Sequence, residues 1–274
     1  FPSELLSINN AKKHFIIRRI LSIIKNKLLL KISHFIISKY DIVFARSDFF
    51  AKQLSNSIKK KVYSLPMGFD TSWIINEKVK NKYIEKYKSN SRKLAGYFGA
   101  IDEGRNIDFI LEIFKKLFSF NKDINGIIVT NADKSDLLKI KKLSNKYKIS
   151  KKLNIIGPFN YSEMPNILSI LDLTISPIPP VDAYLVSSPT KTIESIGLGI
   201  PVIGNKEIED QHKIITNSGC GFSINYNTDD FYEACIKIMN LSNTDDFKKK
   251  GINYIKNNRS YEILAKKFED IIFR

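Results

Sequence analysis

Short apolar runs alternate with longer amphipathic stretches from residue 94 to the end of the chain. The apolar runs predict six strands, at residues 94–98, 126–130, 153–156, 173–176, 200–203 and 221–224. The stretches between them predict helices near residues 106–118, 134–147, 162–171, 189–197 and 229–241, with terminal helices over 244–274. Strands that alternate with helices in this way form a parallel sheet covered on both faces. We therefore predict a doubly wound α/β domain.

The residues before this domain follow a different pattern. Residues 41–46 and 62–65 predict two strands with a helix near residues 47–56 between them. A turn-rich segment follows at residues 66–70, and a charged helix at about 76–88 leads to the polar triplet Ser89-Asn90-Ser91. This break in the alternation indicates a domain boundary with a linker.

The segment 15–37 combines apolar stripes at helical spacing with the charges of Arg18, Arg19, Lys25, Lys27 and Lys31. These charges leave too few consecutive apolar residues for a membrane-spanning helix, which needs roughly 20. The segment is predicted to form one or two basic amphipathic helices. A broad apolar face of this kind is typical of a core helix, and attachment to a membrane surface is the alternative.

The chain has 274 residues and a formal net charge of +16, concentrated in its first third. Residues 1–90 contain 18 Lys or Arg and 6 Asp or Glu, so they contribute +12. This surplus suits an acidic partner such as a nucleic acid, an anionic membrane or a phosphorylated substrate, although a lysine-rich composition alone explains it equally well. No nucleic-acid-binding motif accompanies the charge, so we expect no nucleic-acid partner. Cys220 and Cys235 lack metal-ligand spacing and indicate a reducing compartment.

The most informative polar pattern lies in residues 187–205, which read SSPTKTIESIGLGIPVIGN. Ser188 suits an N-cap and Pro189 the first position of a helix, which places Lys191 and Glu194 on one helical face. A helix N-terminus attracts phosphate, Lys191 adds positive charge, and Glu194 can accept hydrogen bonds from sugar hydroxyls. A solvent-exposed Lys–Glu pair on an ordinary helix is the alternative.

Ligands of doubly wound sheets bind beyond the carboxyl ends of the strands, where four predicted loops meet. The loops are residues 99–106, 130–134, 157–162 and 178–191. In the first loop, Gly99 allows a close backbone approach and Arg105 can bind a phosphate through two hydrogen bonds. The loop has neither the dinucleotide-binding nor the P-loop spacing. With Lys191 at an adjacent helix start, Arg105 forms a candidate diphosphate clamp.

Several short motifs, taken together, carry a family resemblance. They are residues 99–105, the pair Gly157-Pro158, Asp172, the pair Ser176-Pro177, and above all residues 188–194 followed by 199–203. Residues 40–54, 65–70, 205–211, 218–222 and 259–261 extend the resemblance over nearly the whole chain after residue 40. The sequence resembles the family 4 retaining glycosyltransferases of GT-B fold.

The resemblance implies a GT-B-like architecture, in which one complete Rossmann-like domain follows the partial remnant of a second. Residues 1–70 correspond to the C-terminal remnant of the N-terminal acceptor domain, and residues 71–92 to the inter-domain crossing or linker. Residues 93–255 correspond to the nucleotide-sugar donor domain, and residues 256–274 to a C-terminal helix that packs back toward the N-terminal domain. Since a complete acceptor domain needs its own parallel sheet, we expect the chain to be an incomplete fragment, with catalytic residues in the missing N-terminal part.

The predicted nucleotide-sugar site consists of Gly99, Arg105, Ser188, Pro189, Thr190, Lys191 and Glu194. Arg105 and Lys191 neutralise the diphosphate, Glu194 holds the ribose, and Ser188 and Thr190 offer hydroxyl or N–H groups. The sequence departs from the family pattern twice. Ala100 stands in place of the first phosphate-loop Arg, and Val186 in place of the Glu that normally meets the donor sugar, which indicates a variant sugar site.

We therefore predict a retaining glycosyltransferase that moves a sugar from a nucleotide-sugar donor to a glycan or lipid-linked acceptor in cell-surface polysaccharide synthesis. The alternative is a non-catalytic nucleotide-sugar-binding module or pseudoenzyme. We expect no metal and no cofactor besides the donor substrate, and His14, His34 and His212 are interpreted as structural or surface residues. The predicted location is cytoplasmic, peripheral at the inner face of the cytoplasmic membrane, with an anionic membrane surface as a partner.

Overall fold

The computed structural model describes residues 22, 24–88 and 93–273, except for the side chain of residue 103. The described residues form two compact units. The first contains the residues up to 45 together with Phe50–Ser64, and the second contains Arg46–Phe49 and the residues from 65 onward. The predicted domain boundaries at residues 70, 92 and 255 remain predictions.

The first unit contains a helix over residues 24–38 (α1) and two short strands. Strands β1 (Phe44–Ala45) and β2 (Tyr63–Ser64) pair in parallel, and helix α2 (Asp48–Ile58) connects them. Large apolar side chains of α1 are exposed, among them Phe35 at 63%. Within the described ranges, no helix is both long and apolar enough to cross a bilayer. The part of the predicted basic helix before residue 22, with Arg18 and Arg19, lies outside the described residues.

The second unit is built on a six-stranded sheet in which every neighbouring pair is parallel. Its strands are β3 (Lys93–Phe98), β4 (Ile124–Val129), β5 (Leu153–Ile156), β6 (Leu173–Ser176), β7 (Val202–Asn205) and β8 (Gly221–Ile224). The strand order is β5-β4-β3-β6-β7-β8, and β3 meets β6 with Ala95 opposite Leu173. This is the order of a doubly wound Rossmann-like sheet, so the predicted fold class is confirmed.

Helices cover both faces of this sheet. They are α3 (Glu77–Tyr87), α4 (Ile107–Phe120), α5 (Lys134–Lys146), α6 (Met164–Leu168), α7 (Asp182–Leu185), α8 (Thr190–Gly197), α9 (Glu209–Ser218), α10 (Thr228–Met239), α11 (Asp245–Asn258) and α12 (Tyr261–Ile272). On one face, Phe114 of α4 and Phe231 of α10 are fully buried against the strands. On the other, Ile167 of α6 and Ile193 of α8 are fully buried. Both faces are therefore apolar, which explains the continuous apolar runs in the sequence.

Several elements differ from the sequence-based prediction. Strand β1 covers only Phe44–Ala45 of the predicted residues 41–46, β4 begins at Ile124 rather than residue 126, and the short α7 was not predicted. Strand β7 begins at Val202 rather than residue 200, because Pro201 has no N–H to donate to a neighbouring strand. The helix predicted at residues 162–171 is a 3₁₀ turn (Tyr161–Glu163) followed by the short α6. Helix α9 was not predicted, since Asp210 and Gln211 occupy buried positions and break its apolar periodicity.

Candidate functional site

A cleft of about 640 Å³ opens at the carboxyl edge of the sheet, where the strand order reverses between β3 and β6. Its lining includes all seven residues of the predicted nucleotide-sugar site. A second cavity of about 330 Å³ adjoins it and shares Gly99, Ala100 and Met164 with its lining. The other lining residues of this cavity include Thr130 and Phe159, which follow β4 and β5. The four predicted loops therefore meet at one edge, as the parallel strands require.

Lys191 lies in the first turn of α8, with its ammonium group over the ring of Tyr97, 4.7 Å from the ring centroid. The ammonium group of Lys191 also lies close to the backbone of Gly99. A Cβ atom at this position would be 3.6 Å from Lys191 Nζ. Gly99 also has a φ of 131°, which side chains rarely allow. Burial lowers the pKa of Lys191 to about 7, and the nearby positive charge of Arg105 acts in the same direction. The negative charge of Asp102 opposes this shift, but Lys191 forms no ion pair with Asp102 or with any other described carboxylate.

Arg105 ends a 3₁₀ turn (Glu103–Arg105) and stacks its guanidinium on the ring of Tyr184, 4.4 Å from the centroid. Its Nε atom is buried and has no hydrogen-bond partner. A Cβ atom at Gly104 would lie 2.5 Å from the hydroxyl oxygen of Tyr184, so a side chain at this position would displace the ring beneath Arg105. Neither Arg105 nor Lys191 forms an ion pair with any carboxylate that the structure describes. Two unpaired cations in one cleft form a site for an anion such as a diphosphate.

Glu194 follows Lys191 by three residues on α8 and lines the same cleft. Its Oε1 atom accepts a hydrogen bond of 2.8 Å from the hydroxyl of Tyr161. Burial raises the pKa of the Glu194 carboxyl, and the bond from Tyr161 partly opposes this shift. The carboxylate therefore lies near the two cations without pairing with them, and one of its oxygens is free to accept from a ligand.

The start of α8 differs from the predicted cap. The helix begins at Thr190, and Pro189 occupies the N-cap position without a side-chain hydrogen bond, so the predicted N-cap role of Ser188 is wrong. The hydroxyl of Ser188 instead donates to Asp210 Oδ2 at 2.6 Å and accepts from the backbone N–H of Met67 at 3.0 Å. Ser188 thus holds the segment before α8 in place, while Thr190 is exposed and lines the cleft.

Sequence reasoning missed five further side chains that line the cleft or lie beneath its cations. They are Arg46, Tyr97, Tyr161, Tyr184 and Tyr261. Tyr161 and Tyr184 lie in predicted ligand loops, where an aromatic residue near a candidate phosphate-binding cation is a usable signal. Tyr97 lies in a predicted strand, where the sequence does not distinguish it from a core residue. Nothing in the sequence distinguished Arg46, which lies between β1 and α2, from an ordinary surface cation.

No metal site emerges from the part of the chain that the structure describes, because no three His, Cys, Asp or Glu side chains cluster there. His212 is exposed, and its Nδ1 atom lies 2.9 Å from Ser223 Oγ, which agrees with its interpretation as a surface residue. His14 lies outside the described residues. Cys220 and Cys235 are both buried free thiols, and burial raises the pKa of each.

Comparison with known proteins assigns the chain to a family. The family model for glycosyl transferases group 1 matches residues 79–259, which include the whole six-stranded sheet and both cations of the cleft. A search of curated protein sequences finds no match.

Several solved structures share the fold. Sucrose-phosphate synthase from Thermosynechococcus elongatus matches with a TM-score of 0.72 at 14% identity, over 90% of this chain and 61% of that one. HepE of Anabaena, solved in complex with UDP and glucose, matches with a TM-score of 0.70 at 10% identity, over 89% and 66%. WaaG, a glycosyltransferase involved in lipopolysaccharide biosynthesis, matches with a TM-score of 0.66 at 16% identity, over 83% and 62%. The chain thus spans somewhat less than two thirds of these proteins, and the GT-B-like architecture is confirmed.

Proposed function

Because the chain belongs to the glycosyl transferases of group 1, we propose that its cleft binds a nucleotide-sugar donor and that the protein transfers the sugar to a glycan or lipid-linked acceptor in cell-surface polysaccharide synthesis. One observation carries the proposal: Arg105 and Lys191 meet in the cleft without any described carboxylate partner. A donor diphosphate supplies the negative charge that these two groups lack. Matches to UDP-bound HepE and to WaaG are consistent with a donor and a pathway of this kind.

Four cleft residues have a role in this proposal. Arg105 and Lys191 bind the diphosphate, and the N-terminus of α8 adds the favourable end of its dipole. Glu194 accepts a hydrogen bond from the ribose, and Gly99 lets the donor approach the backbone. We assign the base to the adjoining cavity, which is lined by Thr130 and Phe159.

The reaction in this proposal needs stabilisation of the departing nucleoside diphosphate, on which negative charge grows as the bond to the sugar breaks. Two cations fixed in a partly buried site stabilise such charge better than mobile ions in water, because they need not reorganise during the reaction. We therefore propose that Arg105 and Lys191 take the place of a metal ion. Retention of configuration is part of the same proposal.

A thermal-shift screen tests donor binding. UDP, GDP, ADP and their glucose or mannose conjugates are added to the chain, and a ligand at about a hundred times its Kd stabilises the folded state by roughly 2.7 kcal/mol. We expect one nucleotide to raise the melting temperature of the wild type and of Lys250→Ala, whose lysine pairs with Asp246 on the surface. Arg105→Ala and Lys191→Ala lose this shift. A screen in which no nucleotide stabilises the wild type overturns the proposal.

Attachment to the inner face of the cytoplasmic membrane completes the proposal. Lys25, Lys27 and Lys31 lie on α1 beside its exposed apolar side chains, and each basic residue near an anionic bilayer contributes on the order of 1 kcal/mol. We expect the chain to co-sediment with anionic vesicles at low salt and to be released at high salt. Binding that ignores lipid charge and salt, or no binding at all, contradicts electrostatic attachment.

A further inference from the structure

Glu194 has one side-chain partner among the described residues, the hydroxyl of Tyr161. No described Lys, Arg or His forms an ion pair with it. Lys191 lies three residues earlier on the same helix, but its ammonium group lies over Tyr97 instead. The carboxylate is therefore held by a neutral phenol rather than by a cation.

The position of Tyr161 is fixed by its own surroundings rather than by Glu194. It begins the 3₁₀ turn Tyr161–Glu163, which Asn160 and Glu163 close with a capping box. The ring of Tyr161 packs edge-on against Trp73, with the centroids 5.7 Å apart, and Trp73 packs in the same way against Phe69 at 5.5 Å. A row of three aromatic rings thus presents the Tyr161 hydroxyl to the cleft, although Tyr161 itself is 57% exposed.

We propose that Tyr161 is a positioning residue of the donor site, whose hydroxyl holds Oε1 of Glu194 and leaves Oε2 to accept a hydrogen bond from the donor ribose. The inference rests on the proposed function, since it assigns Glu194 to the ribose. Tyr161 itself need not touch the donor. Its action is on the conformation and ionisation of the carboxylate.

The ionisation of Glu194 makes this role measurable. Burial raises the pKa of its carboxyl, and the bond from Tyr161 counteracts that rise, because a hydrogen bond to a carboxylate favours the charged form. Tyr261 and Asp70 act on Tyr161 through their charges. The other ionisable side chains that line the same cleft are Arg46, Arg105, Tyr184 and Lys191. A protonated Glu194 accepts hydrogen bonds poorly. Loss of the Tyr161 hydroxyl therefore weakens ribose binding first on the acid side.

Tyr161→Phe removes the hydroxyl and keeps the ring against Trp73. Tyr147→Phe is the matched control, because Tyr147 donates to Asp108 Oδ1 at 2.9 Å outside the cleft. The Glu194 pKa is measured in the ligand-free chain by carbon NMR of labelled glutamate carboxyls, with the signal assigned as the one that Glu194→Gln removes. The affinity for UDP, or for whichever nucleoside diphosphate the screen selects, is measured by calorimetry across the acid range.

We expect Tyr161→Phe to raise the Glu194 pKa, to weaken nucleotide binding about threefold to tenfold, and to move the acid decline in affinity to higher pH. Tyr147→Phe leaves all three unchanged. An unchanged Glu194 pKa, or tighter nucleotide binding by Tyr161→Phe, overturns the inference, the latter because Tyr161 then competes with the ligand. If the wild type binds no nucleoside diphosphate, the proposed function fails together with the ribose role. An unchanged Glu194 pKa with nucleotide binding retained overturns the inference alone.

Discussion

Two polar regions flank helix α8. In one the polar side chains are hydrogen-bonded to each other, and in the other two cationic side chains have no carboxylate partner among the described residues. In the buried region beneath the helix, Thr192 and Ser176 both donate to Gln211 Oε1, at 2.8 and 2.7 Å. Thr174 and Ser195 pair with each other at 2.9 Å in the same layer. In the cleft on the other side, Arg105 and Lys191 have no described carboxylate partner. Polar groups that hold the fold are satisfied within it, whereas the cleft leaves donors that a ligand must satisfy.

The two regions differ most clearly in their buried side-chain atoms that have no hydrogen-bond partner. Among the described residues, the buried side-chain atoms without a hydrogen bond are Arg105 Nε and Ser64 Oγ, and Ser64 belongs to the first unit. Stability and binding should therefore respond to different residues, even though both sets surround one helix of eight residues.

The largest effect is expected in the buried region, from Asp210→Ala. Asp210 forms an ion pair with Arg259 and accepts from Ser188, and Asp210 and Arg259 are only 4% and 8% exposed. The substitution leaves a buried guanidinium without its counter-ion, which typically costs about 3–5 kcal/mol of folding free energy. Urea unfolding measures the loss. Asp246→Ala, which breaks a surface pair with Lys250, is the control and should stay within about 0.5 kcal/mol of the wild type.

Next in size are the effects of Arg105→Ala and Lys191→Ala. Unlike Asp210→Ala, these substitutions should weaken ligand binding and leave the folding free energy intact. Each removes a charge-assisted phosphate contact, so nucleoside diphosphate binding weakens by about 1.5–3 kcal/mol while nucleoside binding changes little. The unfolding free energy should stay the same or rise, because one of two like charges leaves a partly buried site. Calorimetry with both ligands checks the prediction, and equal losses for nucleoside and nucleotide would contradict it.

The fold could largely be predicted from the sequence, because the four central strands β3, β4, β6 and β7 are almost wholly buried and form continuous apolar runs. Strands β5, β6 and β8 begin and end at the predicted residues. Helix α9 was not predicted, because polar residues occupy some of its buried positions. Gln211 faces the core but satisfies its amide within the protein, donating to the carbonyls of Ser176 and Asn205 at 3.2 Å each. A prediction based on hydrophobic periodicity assigns a glutamine to the surface, even where the side chain is buried.

The candidate site could be predicted in part. Arg105, Lys191 and Glu194 were identified because their chemistry suits phosphate and sugar and because parallel strands bring their loops together. The aromatic support was not predicted, since Tyr97 lies in an apolar strand and is indistinguishable there from a core residue. The role of Ser188 was also misjudged, because its partner Asp210 lies on the helix that was missed.

The pH dependence of binding is a further way to separate the cleft from the buried region. The cleft contains Lys191, whose pKa is shifted, whereas the hydrogen-bonded layer beneath α8 consists of Ser, Thr and Gln side chains. The pKa of Lys191 is about 7 in the folded chain and near 10.5 in the unfolded chain, so the folded state binds fewer protons between these values. A bound diphosphate favours the charged form, so binding above pH 7 takes up a proton and weakens as pH rises, by up to about tenfold per pH unit. Calorimetry in buffers of different ionisation enthalpy measures the uptake. Lys191→Arg should abolish this dependence, and a flat wild-type profile would show that Lys191 is already charged.

By the same linkage, the stability of the ligand-free chain carries a penalty from Lys191 that is complete below pH 7 and relieved as pH rises toward 10.5. The gain in stability from Lys191→Met should accordingly be larger at pH 6.5 than at pH 9.5. Urea midpoints at the two pH values compare them.

The smallest effect is expected from Glu194→Gln, which keeps the shape of the side chain and its contact with Tyr161. We expect the fold to persist and the affinity for nucleotides to fall by about 1 kcal/mol, the difference between a charged and a neutral acceptor. Calorimetry at pH 7.5 measures it. An unchanged affinity would reduce Glu194 to a structural residue and would place the ribose elsewhere in the cleft.

The reversal of strand order between β3 and β6 has a consequence for how the protein is made. Arg105 follows β3 and Lys191 follows β6, so the two cations are 86 positions apart along the chain and meet only because the two strands are neighbours. Contacts of such long range form late in folding, since the intervening loop must close first. During synthesis, a chain that has emerged only as far as β5 contains three of the six strands and Arg105, but not Lys191. The proposed clamp therefore requires that synthesis has passed Lys191 and that β6 has paired with β3.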